Sequence, residues 1–249
     1  MTLRASIVGS MARTLRGAAL GLLAALACGS AAALDGGGVG EAEVDGGAAD
    51  GQRFLVSASR CGDRLATEWR RPDGAMVARE EVEFDDGRWV RYRLQRANLR
   101  QDLRAERRGE AVTIVDAARP DRAPVRLAER GTLVAGPELV TYLQSRLADL
   151  RVGGRLEFRY LLADRGSALG FVARSAQQGG RTVVTLEAAS ALARPFVPET
   201  RLEFGADGAL REVRGRMLPV AGDARSQTPL DGVLRMRSAQ SSCNIKTVS

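Results

Sequence analysis

Residues 64–94, RLATEWRRPDGAMVAREEVEFDDGRWVRYRL, decide the fold. Two β-forming segments, 64–70 and 76–84, meet across Pro72-Asp73-Gly74, where proline presets φ and glycine admits a positive φ. Asp85-Asp86-Gly87 turns the chain again, into 89–94, where Val90, Tyr92 and Leu94 alternate with Trp89, Arg91 and Arg93. A period of two puts the first set on an apolar face and the second on a mostly basic one. This is the pattern of consecutive antiparallel hairpins.

The pattern continues outward in both directions. Residues 53–57 alternate weakly, and 99–107 and 111–115 flank Arg108-Gly109 as a further hairpin; Leu99 and Leu103 also suit a short helix. Pro120 and Pro124 break the pattern. Gly136-Pro137 then opens an amphipathic helix predicted over 137–150, with Leu139, Val140, Leu143, Leu147 and Leu150 along one side and Gly153-Gly154 at its end. Period two returns with Leu156, Phe158, Tyr160 and Leu162 on one face. Strands over 167–173 and 181–188 join around Gly179-Gly180, 202–204 and 210–217 form a hairpin over 205–208, and 233–237 is the last strand. Roughly nine to eleven strands joined by short turns predict a mainly β fold, an antiparallel open half-barrel or curved sheet with one central helix on its concave side.

The N-terminus carries an address. Arg4, Arg13 and Arg16 precede an apolar run over 18–27, and Ser30-Ala31-Ala32-Ala33-Leu34 supplies the small-x-small pattern of signal-peptide cleavage. The run is about half the ~20 residues a membrane-spanning helix needs. Residues 1–33 therefore read as a signal peptide, with the mature chain starting near Leu34 in the periplasm or outside the cell. Ala25-Leu26-Ala27-Cys28 offers the alternative of a lipoprotein anchored at Cys28. Residues 34–51 read as a flexible acidic, glycine-rich leader, 52–243 as a single β-rich domain, and 244–249 as a tail. Cleavage leaves Cys61 and Cys243, which an oxidising compartment would join in a disulfide; two free thiols are the alternative.

Composition excludes whole classes of chemistry. The 249 residues contain 0 His, which removes imidazole-based triads and His-rich zinc sites, and three cysteines cannot complete a four-thiolate site. The one lysine, Lys246, lies in the tail. No catalytic residue, metal site or cofactor is predicted. The net charge of +7 comes from arginine interleaved with acid, and aromatic content is 4%, without the clustered charge and stacking rings of a nucleic-acid binder. Peripheral contact with an anionic membrane surface fits this balance better.

A signal peptide, antiparallel hairpins, a helix at mid-chain and a second set of strands resemble the open half-barrels of bacterial lipoprotein carriers, the LolA/LolB type. The run from Leu156 through Asp164-Arg165-Gly166 to Phe171, followed by Leu202-Glu203-Phe204 and the Asp207-Gly208 turn, is similar to uncharacterised secreted proteins of proteobacteria. The carrier resemblance implies an acyl chain or other elongated apolar ligand between sheet and helix, with no catalytic residues.

The residues placed to line such a site are Leu139, Leu143 and Leu147 on the helix and Phe158, Tyr160 and Phe171 on the strands. Glu80-Glu81 reads as a solvated strand and Asp85-Asp86 as a turn, because neighbours on a strand face opposite sides and cannot aim two carboxylates at one bond. Arg88, Arg91, Arg93, Arg96 and Arg100 read as a solvated sheet face; Arg91, Arg93 and Trp89 on one face would alternatively meet lipid headgroups. Two functions are expected to compete: a non-enzymatic envelope protein binding an apolar, lipid-like ligand, and a structural or protein-interaction module with no ligand. An internal cavity open to solvent distinguishes the first from the second.

Overall fold

The computed structural model describes residues 37–223 and 226–238. The signal peptide, Cys28, the cleavage site at Leu34, Cys243 and the tail lie outside the described residues. The strands are β1 Gly38–Val44, β2 Arg53–Cys61, β3 Arg64–Arg70, β4 Met76–Asp85, β5 Arg88–Arg96, β6 Gln101–Arg108, β7 Ala111–Asp116, β8 Val125–Ala128, β9 Leu133–Val134, β10 Leu156–Leu162, β11 Ser167–Gln178, β12 Arg181–Ala188, β13 Thr200–Phe204, β14 Leu210–Gly222 and β15 Gln227–Ser238. They form one 15-stranded sheet in the order β8-β7-β6-β5-β4-β3-β2-β1-β15-β14-β13-β12-β11-β10-β9. Every pairing is antiparallel except that of β9 with β10. The mainly β, open-sheet expectation holds, with more strands than the pattern suggested.

The leader expectation is corrected by β1, which pairs with β15 on one side and β2 on the other, at the middle of the sheet. Gly38, Gly40, Ala42 and Val44 point inward while Val39, Glu41 and Glu43 are exposed. The strand was hidden because its inward residues are small. A side chain at Gly40 would stand 2.5 Å from the Arg235 carbonyl oxygen and 2.6 Å from the Met236 sulfur. Ladder hydrogen bonds to two neighbours, and not large apolar groups, order this segment.

The single helix of 137–150 is corrected to two short ones, α1 Glu138–Ser145 and α2 Leu147–Arg151. Arg146 between them leaves helical geometry, at φ −112 and ψ 7. The apolar spacing survives the break: Leu143, Leu147 and Leu150 are buried in one cluster with Phe158, Val184, Leu202 and Phe204. Tyr142 meets Phe158 edge-on, with ring centroids 5.4 Å apart.

Two interruptions of the ladder shape the interior. The β4–β5 register shifts after Glu83, so that Phe84 pairs with Trp89 and Glu83 with Arg91, leaving Val90 unpaired. Such a bulge re-aims side chains. Trp89 therefore joins Tyr92 and Leu94 in the core, and the expectation that it shares a face with Arg91 and Arg93 is overturned. The β14–β15 register breaks between Arg216 and Val220, where Met217 is buried.

The two sheet edges, β8 and β9, are joined by residues 129–132 and share no strand ladder. Side chains hold the β9 edge. The carbonyl oxygen of Leu133 on β9 accepts from Trp89 Nε1 at 2.9 Å and from Arg107 Nη2 at 3.1 Å. Arg107 stacks on the Trp89 ring at 4.3 Å and pairs with Glu129 at 2.9 Å. The sheet is thus barrel-like but open, its β9 edge held to β5 and β6 by polar side chains instead of by pairing.

Candidate functional site: the barrel lumen

The inward face of the sheet and one side of α1 enclose a cavity of about 1460 Å³. This exceeds the ~300–1,000 Å³ of ordinary ligand pockets. One wall is apolar. Leu139 and Val140 of α1 face it together with Phe158, Phe171, Leu186 and Leu210 from the strands. Phe158 and Phe171 stack at 6.0 Å, and Tyr160 meets Phe171 edge-on at 6.4 Å.

Of the residues placed at a ligand site from sequence, Leu139, Phe158, Tyr160 and Phe171 line this cavity. Leu143 and Leu147 do not. They sit behind it, 0% and 5% exposed, in the layer between helix and sheet. Helical spacing identifies an apolar side but not which of its members reach the open space.

The opposite wall is polar, and the sequence reading missed it. Glu80 alternates with Ala78 and Val82 on β4 and so points inward, which corrects its expected place on a solvated strand; Glu81 points outward and pairs with Arg79. Tyr92 donates its hydroxyl proton to Glu80 Oε1 at 2.5 Å. Arg96 donates from Nη1 to Asp164 Oδ2 at 3.1 Å and to Gln101 Oε1 at 3.4 Å, and from Nε to the Leu218 carbonyl at 3.2 Å. The last bond uses the stretch between Arg216 and Val220 where β14 leaves its ladder. Gly136 holds φ +48 against this wall, and a side chain there would stand 2.5 Å from Tyr92 Cε2. Only glycine lets the chain pass so close.

Burial dominates the electrostatics of the wall. It pushes the Glu80 carboxyl above its usual range, against the opposing influence of the Tyr92 hydrogen bond and the Arg96 charge. Tyr92 and Tyr160 are raised well above 10, first by burial and next by the neighbouring Glu80. Both phenols are therefore un-ionised donors at physiological pH. The signal that could have found this wall was the strand period itself, which places Glu80 in line with Ala78 and Val82.

The outward arginines are accounted for by acids. Arg91 pairs with Glu83 at 3.1 Å, Arg93 with Asp102 at 2.8 Å and Arg88 with Glu129 at 3.3 Å. Of the five arginines expected on a solvated face, these three form ion pairs there, whereas Arg96 is turned into the lumen and Arg100 sits in the β5–β6 turn, and the headgroup alternative loses its tryptophan to the core.

No protein-family model and no curated protein matches this chain. Among solved structures, it is similar to the crystal structure of a beta-barrel-like protein, a domain of unknown function (DUF1849) from Brucella abortus, with a TM-score of 0.53 at 10% identity. The alignment covers 83% of this chain and 97% of that one. At that identity the likeness is one of fold: this chain shares the barrel-like architecture of that protein.

Proposed function

We propose that the protein is a non-enzymatic component of the cell envelope that holds an elongated apolar ligand in its barrel lumen. The observation that carries this reading is the cavity of about 1460 Å³, walled on one side by aromatic and aliphatic groups of β10–β12 and α1. A scaffold with no ligand would fill such a space with side chains, since interiors pack to crystal-like density. The N-terminal export pattern supports a periplasmic or secreted location. A Cys61–Cys243 bridge fits the same reading. Gly38 of β1 pairs with Ala58 on β2 and with Ser238 on β15, so the strand ends leading to the two cysteines flank one position of β1.

Native mass spectrometry of protein purified from the periplasm tests the proposal. A co-purified lipid, or saturable binding of the uncharged fluorophore N-phenyl-1-naphthylamine, is the expected result. Neither lipid nor dye bound would favour the structural or interaction module.

A further inference from the structure

The lumen has two walls of different chemistry, and the polar one limits which ligand fits. Glu80, Tyr92 and Arg96 are each more than nine-tenths buried, at 8%, 4% and 8% exposure. They face the same cavity as the aromatic wall. A lumen meant for plain hydrocarbon has no use for such groups, because each buried polar group costs free energy unless it finds a partner.

Some of their hydrogen-bonding capacity is unused. Among the described residues, no partner meets the Tyr160 hydroxyl or Nη2 of Arg96, although Arg96 spends its other nitrogens on Asp164, Gln101 and Leu218. Both residues line the cavity. They offer donors, so they call for an acceptor oxygen on the ligand.

The local charges limit the kind of oxygen. Two carboxyl groups, Glu80 and Asp164, stand around the one guanidinium of Arg96, and Asp164 already pairs with it. Arg96 is the one buried cation of the lining, the other arginines there being half-buried or exposed, so beside it no surplus positive charge is left for an anionic head. A carboxylate or phosphate would arrive unpaired in low dielectric, at high cost. An ammonium head would leave the Tyr160 and Arg96 donors without an acceptor.

Resting on the carrier reading, we infer that the ligand is an uncharged amphiphile, an acyl ester or amide. Its carbonyl oxygen accepts from Tyr160 and Arg96 while its chain lies against Phe158, Phe171 and Leu139.

The test compares ligands of one chain length on the full mature protein: 1-decanoylglycerol, decanoate and decylammonium, each displacing N-phenyl-1-naphthylamine. The decanoyl ester is expected to displace the dye at least tenfold more tightly than either charged analogue. Tyr160→Phe should weaken the ester about three- to tenfold more than it weakens the dye, the range of one neutral hydrogen bond. Equal or tighter binding of decanoate or decylammonium overturns the inference, as does an unaltered ester affinity in Tyr160→Phe. In those cases the dye still binds and the carrier reading stands. If the dye and all three ligands fail to bind, the carrier reading itself falls and the inference with it.

Discussion

The indole N–H of Trp89 donates to the carbonyl oxygen of Leu133 at 2.9 Å, and this bond ties β5 to an edge strand with which it shares no ladder. An unpaired edge carbonyl is the point at which an open sheet exposes itself to other chains. Here it is covered from within by Trp89 and Arg107.

Trp89→Phe should therefore lower stability by about 1–3 kcal/mol, combining one lost hydrogen bond with the volume left behind. Arg107 keeps the Leu133 carbonyl partnered, so the fold should persist by far-UV circular dichroism. Urea unfolding measures the loss. A change under about 0.5 kcal/mol would mean that the β9 edge does not depend on this bond.

Glu138 gives the stability a pH dependence of defined sign. Burial raises its carboxyl from 4.5 to about 7, although it accepts the Ala135 N–H at 2.9 Å. The folded state holds this proton where the unfolded chain has released it. Stability from Glu138 is thus fully present below about pH 4.5 and falls as pH rises through about 7. The stability of wild type minus that of Glu138→Gln should decrease between pH 5 and pH 8. A flat difference across that window would refute the shift.

Legibility in the sequence followed side-chain size. The hairpins at 64–94 and the return of period two at Leu156 could be read because large apolar residues mark their inner faces. The inner face of β1 is Gly38, Gly40, Ala42 and Val44, which looks like a leader until Met236 and the Arg235 carbonyl are seen to occupy the space above it. Trp89 was assigned to the wrong face because one unpaired residue, Val90, inverts alternation for everything on one side of it. The aromatic wall was legible in Phe158, Tyr160 and Phe171. Of its polar counterpart only the inward aim of Glu80 could be read, from its period with Ala78 and Val82, since its meeting with Tyr92 needs the β4–β5 register and the pairing of Arg96 with Asp164 joins residues far apart in the chain.

The bridge proposed between Cys61 and Cys243 should leave no thiol titratable in protein isolated from the periplasm without reductant. Reduction should cost up to about 5 kcal/mol, the chain-entropy figure for loops beyond ~100 residues. Two titrating thiols in the denatured, unreduced protein would refute it.

Leu143 and Phe171 should show opposite orders of effect on stability and on binding. Leu143 is 0% exposed behind the cavity, whereas Phe171 is partly buried and lines it. Leu143→Ala should cost about 2–5 kcal/mol of stability, the usual range for a core leucine. It should change affinity for N-phenyl-1-naphthylamine little in the molecules that remain folded. Phe171→Ala should cost less stability, because its ring already faces open space. It removes the ring that stacks on Phe158 at 6.0 Å and meets Tyr160 at 6.4 Å, so dye affinity should fall several-fold. Leu143→Asp would place an unpaired charge in apolar surroundings and should prevent folding. Urea titrations and dye titrations on the same two alanine variants settle the order. If Phe171→Ala binds the dye as wild type does while Leu143→Ala loses it, the ligand sits between helix and sheet and not in the lumen.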